Sequence, residues 1–179
     1  MNKVVRVNFS DKDAFFPWKQ DILLSGKCRG VLPLGIVSSE ESISGFYSTE
    51  GYIRVSSLYD VKAADILTVA ERGLECAEIC RDALIFPGEY VLSADTLYIS
   101  DDFREARIAY IPEKRYTSQE GALSCFIYSL KRHTTENGRT YLDTLGSMLE
   151  IQGVKIYRVI SFIEAVSYTH LTLPTICSV

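Results

Sequence analysis

The chain has little of what metal and nucleophile chemistry draw on: two histidines and one tryptophan in 179 residues. Only His133 stands outside the extreme C-terminal stretch, so a Ser/His/Asp or Cys/His set has one imidazole to be built around. No apolar run approaches the ~18 to 20 residues of a membrane helix, and no membrane contact is expected of these residues. Cationic excess is absent too. Lys and Arg number 19 against 23 Asp and Glu, a formal charge of -4, whereas nucleic-acid binders show a basic face or stripe; no nucleic-acid partner is expected. Cys28, Cys76, Cys80, Cys125 and Cys177 form an odd set without framework spacing, which excludes a disulfide scaffold and fits a reducing cytoplasm. Met1 leads into KVVRVNF rather than a signal region, and the sequon NFS at Asn8 therefore has no secretory context. What is present is ordinary: 47% hydrophobic and 23% charged residues, in a length that can bury roughly 70% of the unfolded chain's surface as one domain.

VVRVNF (4 to 9) alternates with a period near two and predicts a strand. Ser10 and Asp11 offer caps for a short helix around Trp18 to Leu24, ended by Gly26. VLPLGIV (31 to 37) and SISGFYS (42 to 48), separated by SSEE, predict a hairpin, with Pro33 and Gly35 marking an edge or irregular strand. After TEG (49 to 51) the period changes. Ile66, Val69, Ala70, Gly73, Leu74, Ala77, Cys80 and Leu84 recur at three and four, predicting one buried face of a helix from about Ala63 to Ala83, stopped by Pro87 and Gly88. Leu97 to Ser100 and Ala106 to Ile111 flank DDFRE as a second hairpin closed by Pro112. A helix opens at Ser118, with Leu123, Phe126, Ile127 and Leu130 on one face and Thr117 and Glu120 as a capping box, and Asn137–Gly138 is read as its break. Leu142 to Ile151 and Val154 to Ala165 predict two further helices around Gly153. The ending SYTHLTLPTICSV leaves the helical period and resembles translated adapter sequence, so Ser167 to Val179 are expected to be foreign or disordered.

Candidate chemistry is thin. SGKCRG (25 to 30) holds the GK of a phosphate loop, but Asp21 stands where its first glycine belongs and Cys28 where Ser or Thr would reach magnesium; a solvated turn is expected. Cys76 and Cys80 share a helical face as two metal ligands do, with no further ligand near them in sequence, and core packing is expected. His133, in KRHTT, is expected at a helix C-terminus, where a cation complements the dipole. Asp101 and Asp102 fall at a hairpin tip.

The β-rich start, the turn into a long helix, VLPLGIV, CRDALIF, LYIS and the closing AYIP resemble an uncharacterised Firmicutes domain found N-terminal to phosphothreonine-reading FHA domains. That domain is in turn similar to a degenerate protein kinase, like the cytoplasmic pseudokinase module of the type VII secretion membrane subunit. The resemblance, over about Asn2 to Val166, implies a degenerate protein-kinase-like α+β fold. Its N-lobe would be small and β-rich (about 1–50), and its C-lobe mainly helical with a β-hairpin (about 51–166). Kinases carry H-R-D-x-x-x-x-N, a hairpin and D-F-G after the corresponding helix. The resemblance places Val91 at the catalytic Asp, Thr96 at the metal-binding Asn, and Tyr110, Ile111 and Pro112 at D-F-G. G-x-G-x-x-G and V-A-I-K are missing, and Lys3 and Lys19 lie in unsuitable patterns.

Magnesium takes hard oxygen ligands and phosphoryl transfer depends on it, so the expectation is a non-enzyme. No catalytic, cofactor-binding or metal residue and no cofactor is assigned. The implied role is a cytoplasmic interaction or regulatory module with a protein partner, in a longer FHA-associated signalling or secretion protein that a membrane tether could hold to the membrane's cytoplasmic face. Two alternatives stay open: a residual nucleotide-binding enzyme using Asp95, Asp101 or Asp102, and a structural oligomerisation domain.

Overall fold

The computed structural model describes residues 4–9, 17–39, 43–113 and 118–171. Three strands, β1 (Val4–Phe9), β2 (Leu34–Ser38) and β3 (Ile43–Ser48), form an antiparallel sheet of order β1-β3-β2. Alternation places Val5, Val7 and Phe9 in line with Tyr47, Gly45 and Ile43, and this face turns inward, with Tyr47 fully buried. On the other face Arg6 lies over the Phe46 ring and donates to Ser44 Oγ at 3.2 Å. The edge position expected of the Pro33–Gly35 strand is observed: β2 ends the sheet, where a residue without an N–H removes no ladder bond. Helix α1 (Pro17–Leu24) precedes β2 and is followed by Gly26 at φ +67°. Its expected caps, Ser10 and Asp11, lie outside the described residues.

A second antiparallel sheet has the order β4-β5-β6, from Tyr52–Arg54, Leu97–Ser100 and Ala106–Ile108. The three-residue β4 was not foreseen. Around this sheet lie α2 (Ala63–Asp82), α3 (Gln119–Ser129), α4 (Glu136–Glu150) and α5 (Ile156–Leu171), with 3-10 turns at Val55–Ser57 and Leu130–His133. Helix α2 buries Ile66, Val69, Ala70, Gly73, Leu74, Ala77 and Cys80 as the period requires, together with Leu67 and Cys76.

Leu84 does not belong to that face. It is 56% exposed, at φ +61°. The Leu84 N–H bonds the Arg81 carbonyl and the Ile85 N–H reaches back to Cys80 at 2.9 Å, the paired bonds of a Schellman cap with leucine in the position usually held by glycine. The helix thus stops before Pro87 and Gly88. The second hairpin strand also ends early, at Ile108, because the following residues leave β5 and pair with the loop after α2.

Asn137 and Gly138, expected to break a helix, are inside the first turn of α4. The break falls at Thr134, where extended backbone lets residues 133–135 exchange bonds with Val61. Ser118 itself caps α3, accepting from the Gly121 N–H at 3.0 Å; Thr117 of the expected capping box lies outside the described residues. At the C-terminus α5 runs on to Leu171, so Ser167 to Leu171 continue the helix against expectation, and the rest of that stretch is outside the described residues.

The boundary between the sheets falls between β3 and β4, yet the halves are joined before it. The Ile108 N–H donates to the Gly30 carbonyl at 2.8 Å and the Leu32 N–H to the Ile108 carbonyl at 2.9 Å. This seam needs glycine at 30, since a Cβ would sit 2.8 Å from Cys80 Sγ and 2.9 Å from the Cys76 carbonyl.

Candidate functional site

The loop from Phe86 to Thr96 connects α2 to β5 and packs on the segment that leaves β6. Val91 N–H donates to the Ile111 carbonyl at 2.8 Å and Glu113 N–H to the Glu89 carbonyl at 2.9 Å, a short antiparallel pairing through the Tyr90–Pro112 bridge. This pairing brings Val91, Thr96 and Tyr110 into one region, and it also fixes what each side chain does.

Thr96 is 3% exposed. Its hydroxyl donates to the Val91 carbonyl at 2.8 Å and accepts from the Ser93 N–H at 3.0 Å, so both of its roles are occupied in closing the loop. A second clamp is Ser129 of α3, whose Oγ accepts from the Ala94 N–H at 2.9 Å. Tyr110 is 1% exposed, tilted against Tyr90 with ring centroids 5.8 Å apart, and its carbonyl accepts from the Tyr47 hydroxyl of β3. Burial, with Tyr110 adjacent, pushes the Tyr47 phenol well above its ordinary range, so it remains a neutral donor. Val91 is half-buried and apolar. None of the three presents a free oxygen ligand or base.

The carboxylates weighed from sequence do not converge on this place. Asp101 and Asp102 are exposed at the β5–β6 tip. Asp102 accepts from Ser100 Oγ at 2.7 Å and the Arg104 N–H at 3.1 Å; these bonds hold its carboxyl below the usual range. Asp95, also exposed, lies 3.7 Å from Arg132. Among the described residues no group of three or more His, Cys, Asp or Glu is arranged to hold a metal ion.

Sequence reasoning missed one charged contact. Lys19, on α1, is 3% exposed, and its Nζ meets Glu89 Oε2 at 2.6 Å. The same oxygen accepts from the Phe86 N–H at 3.2 Å. A lysine beside Trp18 in a short helix carries no signal of a partner 70 residues away. This pair ties α1 to the loop after α2, and the Tyr47–Tyr110 bond ties β3 to the segment after β6.

Two further expectations need revision. His133 ends the 3-10 turn that follows α3, a helix C-terminus as expected, but it is 4% exposed and its Nδ1 donates to the Leu58 carbonyl at 3.0 Å. Its Nε2 is buried without a partner, so the ring serves as a clip between the 3-10 turn and the entry to α2. Cys76 and Cys80 are core residues as expected, but they do have a third thiol near them: Cys28 Sγ is 3.8 Å from Cys80 Sγ, and the Cys76 thiol donates to the Gly30 carbonyl at 3.0 Å. The Cys28–Cys80 contact together with burial raises the Cys28 thiol far above its ordinary value, and Cys80 is raised too. Protonated, buried thiols are poor nucleophiles and poor ligands. The GK turn also proves to be a helix exit, with the Lys27 N–H on Ser25 Oγ.

No family model and no curated protein matches the chain. Among solved structures, one similar to it is a divergent kinase lacking the glycine-rich loop that regulates membrane ultrastructure of the Toxoplasma parasitophorous vacuole. It is 11% identical, covering 94% of this chain and 82% of that one at a TM-score of 0.51. Another is the Staphylococcus aureus EssB cytoplasmic fragment, 11% identical, covering 94% and 99% at a TM-score of 0.48. Among the described residues, two small antiparallel sheets and five α-helices in this order, with the likeness to the divergent kinase, give the chain a protein-kinase-like α+β fold.

Proposed function

We propose that this kinase-like fold is a non-catalytic interaction module, its former reaction centre kept as scaffold. The observation that carries the reading is Thr96, at the position the resemblance gives to a metal-binding Asn: its hydroxyl is committed on both sides to loop backbone. Val91, at the catalytic-base position, has no atom that accepts a proton. Tyr110, at the metal-binding Asp of D-F-G, is a buried phenol ring. Developing phosphoryl charge is neutralised mainly by metal ions and fixed cations, and the residues at these three positions supply neither a metal ligand nor a cation.

The role is one of holding a protein partner, in a Firmicutes protein whose later part carries an FHA domain, on the cytoplasmic side of a membrane. The resemblance of VLPLGIV, CRDALIF, LYIS and AYIP supports that context. No helix among the described residues is long and apolar enough to cross a membrane, so a tether would have to lie elsewhere. The test is restoration: Val91→Asp and Tyr110→Asp, singly, assayed for phosphoryl transfer from ATP with magnesium. No transfer is expected, because one carboxylate does not rebuild the metal cage. Transfer by either variant overturns the reading.

A further inference from the structure

A cavity of about 380 Å3 opens away from the Phe86 to Thr96 loop, where three segments distant in sequence meet. Arg29 comes from the loop between α1 and β2, Arg72, Glu75 and Ile79 from α2, and Arg104 and Arg107 from the β5–β6 hairpin. Four arginines therefore line one cavity of a chain whose formal charge is -4, against two acidic lining residues, Glu75 and Glu105.

These arginines are incompletely satisfied. Arg72 pairs with Glu75 one helical turn on and lies 3.6 Å from Glu71, yet its buried Nε has no acceptor. Arg107 lies 3.8 Å from Glu105 and stacks over the Tyr52 ring at 5.1 Å. The same Glu105 oxygen accepts from the Tyr52 hydroxyl at 2.7 Å, so Arg107 shares this carboxylate with Tyr52. Arg104 is 3.4 Å from Asp102 with its side chain 84% exposed. Arg29, exposed, has no ion-pair partner among the described residues. Each guanidinium carries five N–H donors in a planar fork, and the ion pairs among the described residues take up only part of that donor capacity.

We propose that this cavity binds a phosphoryl monoester, borne either by a small molecule or by a phosphorylated side chain of a partner. A phosphoryl group brings three acceptor oxygens and about -1.5 to -2 charge at neutral pH, which suits forks approaching from three directions better than a single carboxylate does. The half-exposed Ile79 and the small Ala106 beside the arginines give the ester's organic part an apolar wall, which a bare inorganic ion would not use. The proposal deepens the reading as an interaction module, and the cavity's residues are separate from Val91, Thr96 and Tyr110.

The test is a titration of the isotope-labelled chain, followed by amide shifts, with phenyl phosphate, inorganic phosphate, benzoate, and a short phosphothreonine peptide beside its unphosphorylated twin. Saturable shifts at Arg29, Glu75 and Arg107 are expected with phenyl phosphate, and weaker ones with inorganic phosphate. Arg29→Met should weaken binding about tenfold, one charge-assisted hydrogen bond, and Glu75→Gln, which frees Arg72, should tighten it. A purely structural arginine cluster would not tighten. A phosphothreonine peptide that binds more tightly than phenyl phosphate assigns the source to a partner side chain; equal or weaker binding assigns it to a small molecule. No saturable shift with any phosphoryl probe, an equal response to benzoate, or an affinity indifferent to both substitutions overturns the proposal. Shifts confined to Val91, Thr96 and Tyr110 would instead count against the non-catalytic reading.

Discussion

Removing the ammonium of Lys19 tests whether the two halves of the fold are tied at the Glu89 contact. In Lys19→Met the aliphatic stem and its packing remain, while a 2.6 Å charge-assisted bond is lost from a side chain only 4% exposed. Breaking a fully buried pair from one side costs about 3 to 5 kcal/mol. Glu89, however, is 27% exposed and keeps the Phe86 N–H, so water and that donor compensate part of the loss. The expected cost is about 2 to 3 kcal/mol, a Tm drop of roughly 4 to 12 °C for a chain of this size. Glu89→Gln in the same background leaves no isolated carboxylate, so the double variant should be less unstable than the sum of the singles, by about 1 to 2 kcal/mol. The assay is urea denaturation of the four proteins of the cycle, read as midpoint shifts at constant slope. A single variant within about 0.5 kcal/mol of the parent, or strictly additive singles, would refute the claim that this pair couples α1 to the loop.

The core predicts a different hierarchy. Leu74→Ala, at a fully buried position of α2, should cost about 2 to 5 kcal/mol, while Asp101→Ala and Asp102→Ala at the solvated tip should stay within roughly 0.5 kcal/mol. Melts with and without magnesium should coincide; a magnesium-dependent gain lost in the aspartate variants would point to a metal site instead. Gly73→Ala offers a sign test, since alanine raises helix propensity by about 1 kcal/mol but its Cβ would stand 2.2 Å from Phe126 Cζ. Overpacking of about 1 to 3 kcal/mol should win, giving net destabilisation in the same melts.

Periodic elements were legible in the sequence because burial imposes their period. Helix α2 shows seven of its buried positions at spacings of three and four, and the edge placement of β2 follows from Pro33 lacking a donor. What escaped is what backbone and tertiary contact decide. Leu84 looked like the next turn of the stripe, but the Schellman bonds to Cys80 and Arg81 turn the chain outward there. Asn137–Gly138 reads as a break by composition, while the true break follows from Val61 drawing residues 133–135 into extended backbone. β4 is too short to alternate visibly. At the candidate site, the uncharged character of Val91, Thr96 and Tyr110 was readable from the residues, whereas the Lys19–Glu89 pair, the third thiol of Cys28 and the Leu58 clip on His133 arise only when distant segments meet.

The central claim is that the kinase-like reaction centre carries no nucleotide chemistry, and calorimetric titration of the intact chain with ATP and magnesium tests it most directly. The account predicts no magnesium-dependent binding, because Val91, committed Thr96 and buried Tyr110 offer magnesium no ligand; any metal-independent heat belongs to the arginine cavity and should weaken in Arg29→Met. Saturable, magnesium-dependent binding that Thr96→Ala abolishes while Arg29→Met leaves it intact would contradict the account and assign the chain to nucleotide-using proteins.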